Sequence, residues 1–217
     1  MQEEINDLTN HFEIEIHKKN KAGFRVYSFN KKNTKVVVVS PPIDGDCKVD
    51  SVGSQAAAAT TVWAIEKFSP DLIINAGTAG GFKDSSVIGD VHFCHSVEYL
   101  DRFIPLGDFE PYSIGFFVIN PFEGGSLFTS NKLLTTKEEI EKIKSKPMCF
   151  PIIKDMEGAA IAQVANWYGV EVDFIKSITD LIDINEENTQ QQFQDNFNLA
   201  THNLVIELLI YLNRVCV

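Results

Sequence analysis

Three apolar runs constrain this chain more than anything else in it. Val36-Val37-Val38-Val39, Leu72-Ile73-Ile74-Asn75 and Val172 to Ile178 are nearly unbroken in hydrophobicity and rich in β-branched residues. Strands of this kind are covered on both faces, as in parallel sheets flanked by helices. Helical patterns separate them. An Ala-rich stretch from Gln55 to Phe68 stops before Pro70, Thr136 to Lys144 carries Ile140 and Ile143 on one side, and Ala159 to Trp167 continues as an apolar helix. Phe193, Phe197, Ala200, Leu204 and Leu208 fit one face of a long C-terminal helix. Further strands are expected at Asp90 to Val97 and at Ser126 to Ser130. Phe12 to His17 alternates apolar and polar residues and, after a polar turn at Lys18 to Gly23, predicts a hairpin with Phe24 to Phe29. Buried strands alternating with helices predict an α/β domain with a parallel or mixed sheet, read as one domain over residues 1–217.

Composition narrows the function classes. The chain has 217 residues, 19 Lys plus Arg and 30 Asp plus Glu, for a formal net charge of −11. A chain this long can bury roughly 70% of its unfolded surface, so it needs no disulfide or metal staple. The acidic balance argues against nucleic acid as a partner, because a phosphate backbone repels a chain with no basic field. Cys47, Cys94, Cys149 and Cys216 are scattered and read as thiols in a reducing compartment. The first seven residues lack the apolar region of a signal peptide, and the run Leu208 to Leu212 falls far short of the ~20 residues of a membrane span. The expectation is a soluble, cytoplasmic protein with no membrane partner.

Three polar or glycine-rich motifs each follow a buried strand: Gly77-Thr78-Ala79-Gly80-Gly81, Asp155-Met156-Glu157-Gly158 and Thr179-Asp180. In open α/β sheets, ligands collect at the carboxyl ends of strands. The glycine segment has neither dinucleotide-fingerprint nor P-loop spacing. It reads either as a tight turn that stops its strand or as a backbone surface against which a flat ligand can lie. Glu157 opens a helix, where a carboxylate either complements the helix dipole or accepts hydrogen bonds from sugar hydroxyls. Asp180 ends an apolar strand and precedes Leu181-Ile182, so burial should raise its pKa and suit it to general acid work. A turn or N-cap role for the same aspartate stays open. His92 and His95 fall on opposite faces of a strand, so no metal site is expected.

Four runs together resemble a known family. They are Val49 to Gly53, Asp71 to Phe82, Lys154 to Ala160 and Lys176 to Asp183. In this order they are similar to the 5′-methylthioadenosine/S-adenosylhomocysteine nucleosidases, most of all the plant-type methylthioadenosine nucleosidases, within the nucleoside phosphorylase superfamily. The resemblance implies a nucleoside-phosphorylase-like mixed central sheet flanked by helices. It also implies cofactor-free hydrolysis of the N-glycosidic bond of methylthioadenosine, and a homodimer in which the partner closes the pocket near the stretch matching Ile104 to Tyr112. Asp180 would match the acid that protonates the purine N7, and Glu157 the carboxylate that holds the ribose hydroxyls. Glu4 would match the base that activates water. Met156 would pack on the sugar, and Thr78, Ala79 and Gly80 would line the purine. Val52 would face the alkylthio group, Leu133 would cover the adenine face, and Lys176 matches the plant-type lysine.

The sequence departs from the family in two places. The family's first apolar strand precedes the segment matching Met1 to Glu4, so that strand is expected to be missing. Thr129 to Leu134 also replaces a segment that usually carries a Gly-Asp pair. Two other activities compete with hydrolysis. A phosphorylase would need several cations around a phosphate, and the chain has only Arg25, Arg102 and Arg214 as arginines. A nucleoside-binding relative without turnover is the other, motivated by the missing strand.

Overall fold

Buried strands and amphipathic helices assemble into a mixed α/β architecture. The computed structural model describes residues 5, 7–8, 11–17, 20–115, 117–119, 124–146, 149–183 and 186–217. The segment Met1 to Glu4, on which both the expected loss of a first strand and the Glu4 assignment rest, lies outside the described residues.

Strands β1 (Glu15–Ile16), β2 (Arg25–Lys31) and β3 (Thr34–Ser40) form an antiparallel sheet in the order β1-β2-β3. The expected hairpin is present, but its first strand pairs over only Glu15 and Ile16. The valine run of β3 is half-buried rather than covered on both faces. Val36 and Val38 pack toward the C-terminal helix, so the apolar run reflects one buried face and a partly covered second one. Continuous hydrophobicity alone does not distinguish these cases.

The second sheet carries the site. Its strands are β4 (Leu72–Gly81), β5 (Val91–Tyr99), β6 (Phe117–Val118), β7 (Gly125–Thr129), β8 (Ile152–Asp155) and β9 (Glu171–Leu181). The order is β6-β5-β7-β8-β4-β9, and β9 also pairs with β5. The strands β5, β7, β8, β4 and β9 therefore close into a ring. Pairing is parallel for β4–β9, β5–β7 and β7–β8 and antiparallel for β4–β8, β5–β6 and β5–β9.

The glycine motif does not stop its strand. β4 runs through Gly77 to Gly81, paired with β9 along its whole length apart from a register shift at Ala79/Gly80. Thr179 and Asp180 likewise lie inside β9. Glycine is a poor strand former in isolation, but burial and ladder hydrogen bonds override that preference here.

Helices cover the sheet on two sides. Helix α1 (Ser54–Phe68) and helix α4 (Gly158–Tyr168) share a core with Ala79, Val97, Leu127, Ile153, Phe174 and Ile178. Ala57, Ala159, Ala160 and Ala162 are the small residues they contribute to it. The long helix α5 (Glu186–Val215) buries Leu204, Val205, Leu208 and Leu212 against Phe29 and Ile175. Helix α2 (Phe109–Ile114) is short. Helix α3 (Lys137–Lys144) starts with a capping box between Thr136 and Glu139, and Ile143 anchors it among Phe82, Phe128 and Ile152. Among the described residues no helix is long and apolar enough to cross a membrane.

Candidate active site

Asp180 is the centre of the site. Its side chain is 2% exposed at the end of β9. The Thr179 hydroxyl lies 2.7 Å from one Asp180 carboxyl oxygen and 3.2 Å from the Ala79 carbonyl, so its single proton is shared between two acceptors. Burial pushes the Asp180 pKa above the usual carboxylate range; the Thr179 hydrogen bond and the Lys154 charge pull the other way without cancelling it. The carboxyl therefore keeps its proton to higher pH than an exposed aspartate would.

Gly80 makes room for this carboxyl. A Cβ there would stand 3.0 Å from Asp180 Oδ2 and 2.5 Å from Ile182 Cγ2. The register sets Thr78 beside Ser177, Ala79 beside Ile178 and Gly80 beside Asp180. Thr78, Ala79, Gly80 and Asp180 thus occupy one end of the β4–β9 pair. Ala79 and Gly80 are buried and Thr78 is half-buried.

Glu157 comes to the site from the start of α4. A carboxylate there would ordinarily cap the helix, yet its side chain makes no capping bond. Asp155 and Thr129 do that work. Asp155 accepts from the Gly158 N–H at 2.9 Å, and Thr129 Oγ1 accepts from the Ala159 N–H at 2.9 Å while donating to Asp155 Oδ1 at 2.6 Å. With those helix donors satisfied, Glu157 Oε1 accepts from the backbone N–H of Gly53, 2.7 Å away and 104 residues distant in sequence. Gly53 has a left-handed φ of 90°, and a Cβ on it would lie 2.7 Å from Asn131 Oδ1. Asn131 in turn accepts from the Ser54 N–H at 2.8 Å. The starts of α1 and α4 and the loop after β7 are so drawn together.

The remaining expected residues fall at different depths. Met156 is half-buried beside Glu157, and Val52 and Leu133 are 54% and 40% exposed. Lys176 lies deepest. It is 2% exposed, with its ammonium 2.9 Å from Asp155 Oδ2. Burial opposes its charge, but Asp155 and Glu157 outweigh burial and leave its pKa raised. At that depth it holds Asp155, which holds α4.

Several contributors escape a sequence reading. Asp155 stands just ahead of a helix start, a spacing that does suggest capping, but its pairing with Lys176 depends on strand order. Lys154 is buried and donates to the carbonyls of Lys132 and Leu133. Arg102 stacks on Tyr99 with its guanidinium carbon 3.9 Å from the ring centre, and bonds Gln163 of α4 at 3.0 Å. It also bonds the carbonyls of Tyr112 and Ser113, which fixes the loop ahead of α2 and that helix to α4. Nothing in local sequence marks these last two clusters. Among the described residues no group of three or more His, Cys, Asp or Glu is placed to hold a metal ion.

Comparison with known proteins finds relatives that share this fold. A family model described as the phosphorylase superfamily matches residues 1–139 and 123–213. A 5′-methylthioadenosine nucleosidase of Arabidopsis thaliana is 36% identical over 181 residues, covering 78% of this chain and 66% of the relative. A 5′-methylthioadenosine/S-adenosylhomocysteine nucleosidase of the same plant is 34% identical over 183 residues, covering 80% of this chain and 70% of the relative. The matched stretches thus span about two thirds of each curated relative's length. The apo structure of Arabidopsis thaliana 5′-methylthioadenosine nucleosidase superposes with a TM-score of 0.91 at 31% identity, covering 98% of this chain and 91% of that one.

Proposed function

This chain belongs to the phosphorylase superfamily, and from that premise we propose that it hydrolyses the N-glycosidic bond of 5′-methylthioadenosine to adenine and methylthioribose. The observation that carries the reading is the buried Asp180 carboxyl, with its raised pKa, lying over Gly80 at the end of β4. A carboxylic acid that keeps its proton can give it to N7 of a purine stacked against Ala79 and Gly80. The C1′–N9 bond then breaks with its electron pair leaving on the neutralised base. Positive charge develops on the ribose, and water adds to C1′ from the opposite side. In this reading Glu157 holds the ribose hydroxyls, Met156 packs on the sugar and Thr78 bonds near the base or the water. Val52 faces the alkylthio group, Leu133 covers the adenine, and Glu4 takes the proton from the attacking water. Lys176 serves the site through Asp155. Proton transfer and water complete the reaction, so it calls for no cofactor.

Water is favoured over phosphate because the arginines are occupied elsewhere. Arg25 pairs with Asp50 at 2.6 Å, and Arg102 is spent on Gln163, Tyr112 and Ser113. Arg214 is exposed in the last turn of α5. The test is an adenine-release assay on 5′-methylthioadenosine with and without inorganic phosphate. Adenine and free methylthioribose in both arms support hydrolysis; a sugar 1-phosphate would replace it with phosphorolysis, and no adenine would end the enzyme reading.

The purine nucleoside is the proposed partner, together with a second copy of the chain. Phe103, Leu106, Phe109 and Tyr112 expose apolar area along one stretch. Four large apolar side chains so close together are suited to cover by a partner. The cytoplasm is the proposed compartment, in keeping with free cysteines at Cys47, Cys94, Cys149 and Cys216.

A further inference from the structure

Lysine is among the residues least often buried, because its ammonium loses water unless something replaces it. Among the described residues, this fold buries two. Lys176 has Asp155 for a counter-ion. Lys154, 4% exposed in β8, has none within ion-pair distance among the described residues, and its partners are two carbonyls of the loop after β7. It donates to Lys132 and, at 3.2 Å, to Leu133. That loop also carries Asn131, which accepts a hydrogen bond from the Ser54 N–H, and the exposed Leu133.

The strand register explains why a lysine is useful there. Lys154 pairs with Gly80, and Gly80 pairs with Asp180, so the three lie abreast on β8, β4 and β9. Side chains of directly paired residues share a sheet face, and neighbouring strands are roughly 5 Å apart. The middle residue has no side chain. The Asp180 carboxyl and the stem of Lys154 therefore face one another across bare backbone.

We propose that Lys154 is a positioning residue of the candidate active site, tying the carbonyls of Lys132 and Leu133 to β8 so that the Asn131–Leu134 loop is held beside the Asp180 carboxyl. The inference rests on the nucleosidase reading for its consequence in catalysis, and on geometry alone for the tether. The groups that act on Lys154 are Asp155 on its own strand, Asp180 on β9, Glu139 on α3 and Asp101 after β5; burial lowers its pKa against all four. Those that act on Asp180 are Thr179 and Lys154, and both favour its ionised form.

Adenine release from 5′-methylthioadenosine by the full chain, followed across pH, tests the inference. Lys154→Met should raise KM about tenfold, the scale of losing hydrogen bonds from a charged donor. It should also move the alkaline fall of kcat/KM to higher pH, because Asp180 loses the cation that favours its ionised form. Lys154→Arg, which keeps the charge, should hold that fall where the wild type has it. A folded Lys154→Met with wild-type KM and pH profile overturns the proposal. Should Lys154→Met fail to fold, Lys154→Gln takes its place: it keeps a donor for the carbonyls, so KM should move less while the alkaline fall still shifts, and an unmoved fall overturns the proposal. A wild type that releases no adenine sinks the nucleosidase reading and leaves the tether to amide hydrogen exchange. Faster exchange at residues 131–134 in Lys154→Met than in wild type then supports it, and equal exchange overturns it.

Discussion

At Asp180, burial and chemistry ask for the same thing, a carboxyl that resists ionisation. Replacing it with asparagine removes the transferable proton and keeps the shape. Asp180→Asn should lower kcat by roughly 10²- to 10⁴-fold, the usual range for general acid catalysis. Stability should move the other way. A carboxyl whose folded pKa is raised above its unfolded value contributes stability that is complete below the unfolded pKa and is lost as pH rises through the folded one. Asp180→Asn escapes that loss, so its melting temperature should match or exceed the wild type's at neutral and alkaline pH. A lower melting temperature there would mean that the ionised carboxylate is stabilised, contrary to the burial argument. Gly80→Ala tests the neighbour. Its methyl would enter the space of Ile182 and Asp180, and overpacking of this kind costs about 1–3 kcal/mol in denaturant unfolding. Asp180 could be picked out in the sequence because Leu181-Ile182 follow it and predict burial. Lys154 could not, because a lysine ahead of Asp-Met-Glu reads as a solvated charge until the strand order sets it beside Gly80.

Helix α4 shows how side chains of a sheet can cap a helix in place of its own first residue. Two side chains from the sheet, Thr129 and Asp155, satisfy its first donors, and Glu157 is left to reach Gly53. Thr129→Val keeps the volume and removes both hydrogen bonds. Leaving a buried N–H unsatisfied costs about 1–3 kcal/mol, which a denaturation midpoint would register. Asp155→Ala should cost more, about 3–5 kcal/mol, because it strands the buried Lys176 ammonium. An Asp155→Ala protein as stable as the wild type would mean the Lys176 ammonium finds water. The elements themselves were largely legible: helices α1, α3 and α4 fall where composition, periodicity and Pro70 put them. The ends of β4 and β9 were not. A glycine-rich run is a stop only when nothing pairs with it, and pairing is decided by a partner about a hundred residues away.

For the whole molecule, the apolar stretch from Phe103 to Tyr112 is fixed from behind by Arg102, which grips Tyr99 and Gln163. Residues already tied down in this way have less ordering left to do when a partner binds. Leu106→Asp should therefore shift the protein toward monomer in light scattering and lower its nucleosidase activity with it. A monomeric wild type at micromolar concentration would remove the second copy from the account. Helix α5 packs its apolar face with the valine run of β3; the helix face was readable from its periodicity, whereas the half-burial of the valines was not.

The closure of β5, β7, β8, β4 and β9 upon themselves has a further consequence. A hoop cannot let out one stave without loosening the rest, so none of these five strands can slide by a residue independently. Substitutions that retune what the protein accepts should accordingly accumulate in segments outside the hoop, around Val52, Asn131 and Leu133, while the staves stay as they are.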